Sequence, residues 1–224
     1  MIKKIKIAFF SLMSLALVSS AYADLTFVSW GGAYTAAQQK GYINDWNGKV
    51  NVENYNGGLG EIKAQVEAGN VTWDVVDILP DQAVTGCDEG LFLKLDQSEF
   101  IDDMIAGPVS ECVVPQIFWA YTAFFDNKAF PGKKPKTIKD FFNVKKFPGK
   151  RAIHTWANAT MEMALVADGV KKKDVYKVLG TPEGVDRAFA KLDTIKDHVV
   201  FWSAGSKPLE MISSGEAVMA LAYN

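Results

Sequence analysis

The feature that most constrains the fold is an apolar run that ends in a glycine turn, within residues 25–34. Residues 25–28 are apolar and partly β-branched, which is typical of a buried strand. Trp30-Gly31-Gly32 breaks that pattern, and residues 33–40 have helical composition. A strand, turn and helix in this order predict an open α/β sheet, whose carboxyl edge gathers ligands at helix starts. The alternative to a ligand site is that Trp30 is a core residue followed by a tight turn. Three residues of this turn are candidate ligand contacts: Trp30, Gly31 and Tyr34.

The first 23 residues match a secretory signal. Three lysines precede an apolar run over residues 7–18, and Ala21-Tyr22-Ala23 fits a small-x-small cleavage site. The apolar run is too short to span a membrane stably. We therefore expect an exported protein with a signal peptide at residues 1–23 and a mature chain that begins at Asp24.

Charge and motifs exclude several classes of function. The predicted signal carries three lysines and no acid, so the remaining chain has 21 basic and 26 acidic side chains, a net charge of −5. A mildly acidic chain argues against a nucleic-acid partner. Neither a GxGxxG run nor a P-loop is present in the sequence. We expect no cofactor.

The two cysteines, Cys87 and Cys112, favour a structural disulfide. Exported proteins meet an oxidising compartment, in which such a pair forms a bond. A metal site or a nucleophile is the alternative. A metal site requires more ligands than two thiols, and His154 and His198 are not spaced in the sequence as metal ligands are. We therefore expect no metal.

A third apolar run, residues 71–79, predicts another buried strand. Asp77 lies near its carboxyl end, and a carboxylate there requires a partner. That partner is either a bound cation or a hydrogen bond from a neighbouring loop. We take Asp77 and the following Asp81 as candidates to bind the positive end of a ligand.

A second strand-to-helix bend occurs at residues 154–158. Residues 151–155 are strand-like, and Asn158 is a plausible helix cap. This bend therefore mirrors the one at Trp30, with Trp156 as its ring. Two later strands are predicted to end near rings at a hinge, which adds Trp202 and Tyr223 to the candidate ligand-binding residues beside Trp156 and Asn158.

Residues 128–151 carry nine basic side chains against a single acid, Asp140. This composition fits either a docking surface for a partner or a solvated basic face. Thr137 is predicted to cap a short helix within it. Farther along, Thr181-Pro182-Glu183 predicts a helix start, and the inward face of that helix is expected to consist of Val185, Phe189 and Leu192.

Six runs of this sequence together resemble the periplasmic substrate-binding proteins of ABC importers, in the spermidine/putrescine-binding branch. The resemblance covers nearly the whole mature chain. The matching runs are Ser29-Trp30-Gly31-Gly32-Ala33-Tyr34, Tyr55-Asn56-Gly57-Gly58, Trp73-Asp74-Val75-Val76-Asp77, Gly86-Cys87-Asp88-Glu89-Gly90, Lys146-Phe147-Pro148-Gly149-Lys150-Arg151 and Gly215-Glu216-Ala217-Val218-Met219.

The resemblance implies a type II periplasmic-binding-protein-like α/β fold with two lobes and a hinge between them. We expect the first lobe at residues 24–126 and the second at 127–224, with a C-terminal remainder missing. It also implies a periplasmic monomer that binds a small-molecule solute between the lobes and docks transiently on an ABC permease in the membrane.

In the polyamine binders, rings enclose the methylene chain and carboxylates hold the ammonium ends. Trp30 and Tyr34 match the ring positions. The acidic pair of the family would fall near Trp156 and Ala159, and neither is acidic. A polyamine such as spermidine or putrescine is therefore the main expectation. The alternative is another small cationic or zwitterionic solute, whose carboxylate would meet the helix start at Asn158.

Two further functions remain open from the sequence. A secreted hydrolase that uses Asp77 and His154 would require a nucleophile with a base in reach, and no GxSxG or HExxH run is present. The second of these functions is an adhesion or signalling module on the same fold. We expect a binding protein with no catalytic residues.

Overall fold

The computed structural model of the chain describes residues 24–98, 101–104 and 109–224. The predicted signal peptide, residues 1–23, lies outside the described residues. Within them, no helix is both long enough and apolar enough to cross a membrane.

The first sheet is parallel and has the strand order β2-β1-β3. Its strands run in register from Leu25 opposite Val50 to Ser29 opposite Asn54, and Val28 is fully buried in its core. Three strands alternate with three helices, as the opening strand-turn-helix pattern predicts: β1 Leu25–Ser29, α1 Gly32–Gly41, β2 Val50–Asn54, α2 Gly60–Glu67, β3 Val75–Val76 and α3 Pro80–Asp88.

The third strand is much shorter than predicted. Val71 is 60% exposed, and only Val75–Val76 pair with β1. The backbone N–H of Thr26 donates to the Asp74 carboxylate at 2.7 Å. In a longer strand, a backbone carbonyl of β3 would accept this N–H instead. Trp73 turns into the core, where its indole N–H donates to Glu53 at 2.9 Å. The apolar run therefore supplies core side chains rather than a long strand.

The second sheet is mixed, with the order β4-β7-β5-β6. Strand β4 is antiparallel to β7, while β5 is parallel to both β6 and β7. The elements in chain order are β4 Tyr121–Phe125, α4 Ile138–Phe141, β5 Arg151–His154, α5 Thr160–Ala167, α6 Val175–Leu179, α7 Pro182–Asp193, β6 Val199–Trp202, α8 Lys207–Ser213 and β7 Met219–Tyr223.

The two predicted helix caps near this sheet are present. Thr137 forms a reciprocal capping box with Asp140 at the start of α4, and Thr181 accepts the N–H of Gly184 at the start of α7. Both caps satisfy backbone donors that a helix start leaves without partners.

The predicted inward face of α7 is wrong at Phe189, which is 54% exposed. The helix instead buries Gly184 and Ala188. A Cβ at Gly184 would overlap the carbonyl of Val178 on α6. Because the two helices approach this closely, small residues face inward and the larger phenylalanine is left outside.

The predicted division at residues 126/127 remains a prediction. Strand β4 precedes that boundary, yet its partner is β7 of the second sheet. The larger core packs on one face of this sheet, with Phe141, Phe147 and Leu165 at its centre. A smaller core lies under α8 around Trp202 and Met211.

Arg151 is fully buried at the start of β5, and its side-chain hydrogen bonds within the described part of the chain all go to backbone carbonyls. Its Nε donates to the carbonyl of Phe141 at 2.9 Å, Nη1 donates to Gly149 at 2.6 Å, and Nη2 donates to Phe147. Burial lowers the pKa of Arg151 to about 10. The charged guanidinium therefore ties the 141–149 segment beneath the strand that leads to the second bend.

The predicted disulfide is present between Cys87 and Cys112, whose Cα atoms are 5.8 Å apart. It joins the end of α3 to the segment that leads toward β4. The loop that it closes spans 25 residues. Restricting such a loop in the unfolded chain stabilises a fold by roughly 3–4 kcal/mol.

Candidate functional site

The two aromatic bends face one another. The ring of Trp30, just after β1, lies 6.0 Å from the ring of Trp156, which follows β5 in the second sheet. Tyr55, just after β2, also packs against Trp30, with the ring centroids 5.1 Å apart. The carboxyl edges of the two sheets therefore meet through rings across a shared cleft.

Gly57 fits between these rings. A Cβ at this position would overlap Cη2 of Trp156 and Cζ3 of Trp30. Its backbone also adopts a φ of +79°, a conformation that glycine adopts without strain. The second glycine turn thus allows the two bends to approach as closely as they do.

A cavity of about 190 Å³ lies beside this ring contact. One wall comes from the first sheet and the opposite wall from residues 204–206, which precede α8. Its lining residues are Trp30, Gly31, Gly32, Asn54, Tyr55, Asn56, Ala204, Gly205 and Ser206. The cavity is therefore bounded by both halves of the fold, and none of the described residues that line it is acidic.

The start of α1 opens onto this cavity without a side-chain cap. The N–H of Gly31 donates to Thr35 Oγ1 at 2.8 Å, and that hydroxyl donates in turn to Asn54 Oδ1 at 2.8 Å. This chain of bonds fixes the bend on the sheet. A helix start whose first turn carries no acid attracts an anion.

Asp77 and Tyr34 lie together at the same edge, on the β3 side. Gln38 donates to Asp77 Oδ2 at 2.9 Å, and the Tyr55 hydroxyl donates to the Asp77 backbone carbonyl at 2.6 Å. Burial, together with a hydrogen bond and the negative charge of Asp77, raises the pKa of the Tyr34 hydroxyl. Both residues support the cleft edge but do not line the cavity.

The second bend rests on a cluster of edge-to-face rings around His154. Its imidazole lies 4.3 Å from Trp202 and 4.7 Å from Trp156, and Tyr223 packs 6.0 Å from Trp202. The backbone N–H of Trp156 donates to His154 Nδ1 at 2.9 Å. Three predicted site residues are thus brought together, although only Trp156 touches Trp30.

Of the nine predicted ligand-binding residues, Trp30 and Gly31 line the cavity and the other seven do not. Asp81 and Asn158 are exposed, and neither lines it. Asn158 does not cap α5, because Ala159 occupies that position without a side-chain hydrogen bond. Ala159 adopts a φ of +61°, which is strained for a residue with a side chain.

Sequence reasoning missed most of the cavity wall. It did not select Asn54, Tyr55, Asn56 or the residues of the 204–206 loop. The second glycine turn, at Asn56-Gly57-Gly58, was the available signal, since it too precedes a helix. The 204–206 loop has no comparable signal, since only the second sheet brings it opposite Gly32.

Within the described residues, no group of three or more metal-ligating side chains is present. The cleft is lined by rings, amides and helix starts, which are groups that suit stacking and hydrogen bonding to a small molecule.

The comparisons with known proteins agree with this geometry. The sequence profile of the family "Bacterial extracellular solute-binding protein" matches residues 32–224. The "Gamma-aminobutyric acid-binding protein" of Pseudomonas aeruginosa is 43% identical over 223 residues, which cover 96% of this chain and 63% of that protein.

Two solved structures are also similar. The structure of the "Atu4243-GABA receptor" is 34% identical with a TM-score of 0.72, over 90% of this chain and 62% of that one. The binding protein MotA of A. tumefaciens B6, in complex with glucopine, is 29% identical with a TM-score of 0.81, over 90% of this chain and 64% of that one. This chain thus spans less than two thirds of the length of each relative.

The spermidine/putrescine branch is not shown. A spermidine/putrescine-binding protein of Streptococcus pneumoniae is 14% identical with a TM-score of 0.62, which shows a shared fold alone. The more similar relatives bear other names, and they are binding proteins and receptors, not enzymes. The predicted fold class and the prediction of a binding protein are confirmed: the chain belongs to the bacterial extracellular solute-binding proteins and has their two-lobed, periplasmic-binding-protein-like α/β fold.

Proposed function

We propose that this protein is the solute receptor of an ABC importer and binds a small ω-amino acid of the γ-aminobutyric acid type between its lobes. This was the alternative to a polyamine. The two GABA-named relatives, at 43% and 34% identity, support it. The observation that carries the proposal is the cavity between the halves, with an uncapped helix start and two rings but no acid in its described lining.

Each part of a zwitterion has a counterpart in this cavity. The solute carboxylate would lie at the start of α1, near Gly32, where the backbone N–H groups of the first helical turn and the helix dipole favour an anion. Its ammonium would lie against the faces of Trp30 and Tyr55, which attract a cation. Asp77 lies behind Tyr55 and adds a negative field at that end.

A polyamine fits this cavity less well. Each of its ammonium ends loses water on binding and requires a carboxylate or several acceptors in return. The described lining offers no carboxylate for either end. The cavity of about 190 Å³ is also smaller than the roughly 300–1,000 Å³ of sites for drug-sized ligands, which favours a short solute.

Thermal unfolding with a panel of solutes tests the proposal. A ligand that binds the native state at about 100 times its Kd stabilises that state by about 2.7 kcal/mol. We expect γ-aminobutyric acid to raise the melting temperature, with putrescine and glycine betaine as comparisons. A rise with putrescine and none with γ-aminobutyric acid would restore the polyamine assignment.

Replacing Trp30 with alanine is expected to weaken solute binding by about tenfold, because a cation–π face and its apolar contact are lost. Isothermal titration calorimetry measures this change. The control is Tyr176→Ala, which removes a 75% exposed ring on α6. Equal affinity in both variants and the parent protein would remove Trp30 from the site.

The remaining assignments are part of the same proposal. Residues 1–23 are removed on export to the periplasm, residues 24–126 and 127–224 belong to the two lobes, and the receptor acts as a monomer that docks transiently on its permease. Mass spectrometry of the exported protein tests the first of these, since the mature chain is expected to begin at Asp24.

A further inference from the structure

His154 links two segments of the second sheet that face the cleft: the Trp156 bend and the loop that follows β6. Its Nδ1 accepts the N–H of Trp156, whose ring touches Trp30. A further hydrogen bond joins His154 to the backbone of Ser203, which leads into the cavity loop at residues 204–206. One buried ring therefore supports both cleft-facing segments.

We propose that neutral His154 is a positioning residue that holds the Trp156 bend in its closed arrangement, and that protonation of the imidazole frees this bend and opens the cleft. The proposal rests on the proposed function, in which closure traps the solute. The receptor then binds its solute tightly at neutral pH and releases it in acid.

The chemistry of the hydrogen bond requires the neutral form. A ring nitrogen that accepts a bond carries no proton, so the neutral imidazole has its proton on Nε2. Protonation at Nδ1 turns this acceptor into a donor that faces the N–H of Trp156. The two groups would then repel one another, and the bend or the ring must move.

The surroundings offer no charge that would hold the protonated ring in place. Tyr223 on β7 and Tyr121 on β4 face this region, and burial raises the pKa of both phenols, for Tyr121 to about 12. Trp202 is its neighbour on β6. On α8, which packs against β5, Lys207 and Glu210 pair with each other and are exposed. Burial lowers the pKa of His154, opposed by its hydrogen bond to the Ser203 backbone.

The direction of the pH effect follows from linkage. The closed state holds the imidazole neutral, so the pKa of His154 is lower in that state than in the open state. Solute binding therefore releases a proton below the open-state pKa, and affinity falls as the pH falls, by at most about tenfold per pH unit.

The first test needs no solute. The chain has two histidines, so their ring signals can be assigned by NMR with His198→Gln as the control variant. His198 precedes the opposite end of β6 from Trp202. We expect the indole signal of Trp156 to change with the midpoint at which His154 titrates, and not to change in His154→Gln. A Trp156 signal that ignores the protonation of His154 would overturn the proposal.

The second test measures γ-aminobutyric acid affinity at about pH 7.5 and about pH 5.5. We expect the affinity to fall about tenfold or more in acid for the parent protein and His198→Gln. His154→Gln can still accept the Trp156 N–H but does not titrate, so its affinity should change less than about twofold. An equal pH response in His154→Gln would contradict the positioning role. If γ-aminobutyric acid binds at neither pH, the proposed function fails, whereas the NMR experiment still decides the role of His154.

Discussion

Replacing Arg151 with methionine is expected to lower the free energy of unfolding by about 3–9 kcal/mol. The side chain is fully buried and donates to the backbone carbonyls of Phe141, Phe147 and Gly149. Methionine fills part of the volume but leaves three buried acceptors without donors, and each such group costs about 1–3 kcal/mol. Urea unfolding followed by circular dichroism measures the loss.

Arg187→Met is the control for this variant. Arg187 pairs with Asp168 at 2.7 Å, and both side chains are partly exposed. A surface pair of this kind contributes about 0–1 kcal/mol, so its removal should change stability little. Similar losses in the two variants would show that the three carbonyls find other partners and that the guanidinium does not hold the 141–149 segment.

Replacing Gly57 with alanine is expected to weaken solute binding by about a hundredfold. Its Cβ would overlap the rings of both Trp30 and Trp156, so the lobes could not reach their present contact. Overpacking of this kind costs about 1–3 kcal/mol, and every 1.4 kcal/mol corresponds to about a tenfold change in Kd. The overlap with Trp156 arises in the closed state alone, because opening the cleft separates that ring from Gly57. The overlap with Trp30 lies within the first lobe, so it is present in both states and cancels in the affinity.

Gly58→Ala is a matched control. Gly57 and Gly58 both have positive φ, of +79° and +90°, so alanine strains the backbone at either position. No atom would lie within 4 Å of a Cβ at Gly58. This backbone strain is the same in the open and closed states, so it cancels in the free energy of solute binding. We expect small-angle X-ray scattering to give a larger radius of gyration for Gly57→Ala only. Equal behaviour of the two variants would mean that the rings do not control closure.

The local pattern of the chain was enough to predict much of the architecture. The strand at residues 25–28, its glycine turn and the following helix are present, as are the Thr137 and Thr181 caps and the Cys87–Cys112 disulfide. These features depend on neighbours in sequence or on the redox compartment. The length of the strand at residues 71–79 was less predictable, because the Asp74 carboxylate accepts the backbone N–H of Thr26 that would otherwise pair with a backbone carbonyl.

By itself, the sequence determined that two aromatic bends would stand at the ends of strands, because apolar periodicity and glycine turns act over a few residues. Only the tertiary structure decided which residues meet across the cleft. Gly57 lies between Trp30 and Trp156, and the 204–206 loop faces the start of α1. These contacts join segments that are distant in the chain, and they depend on sheet order and on how the halves close. No local pattern encodes either.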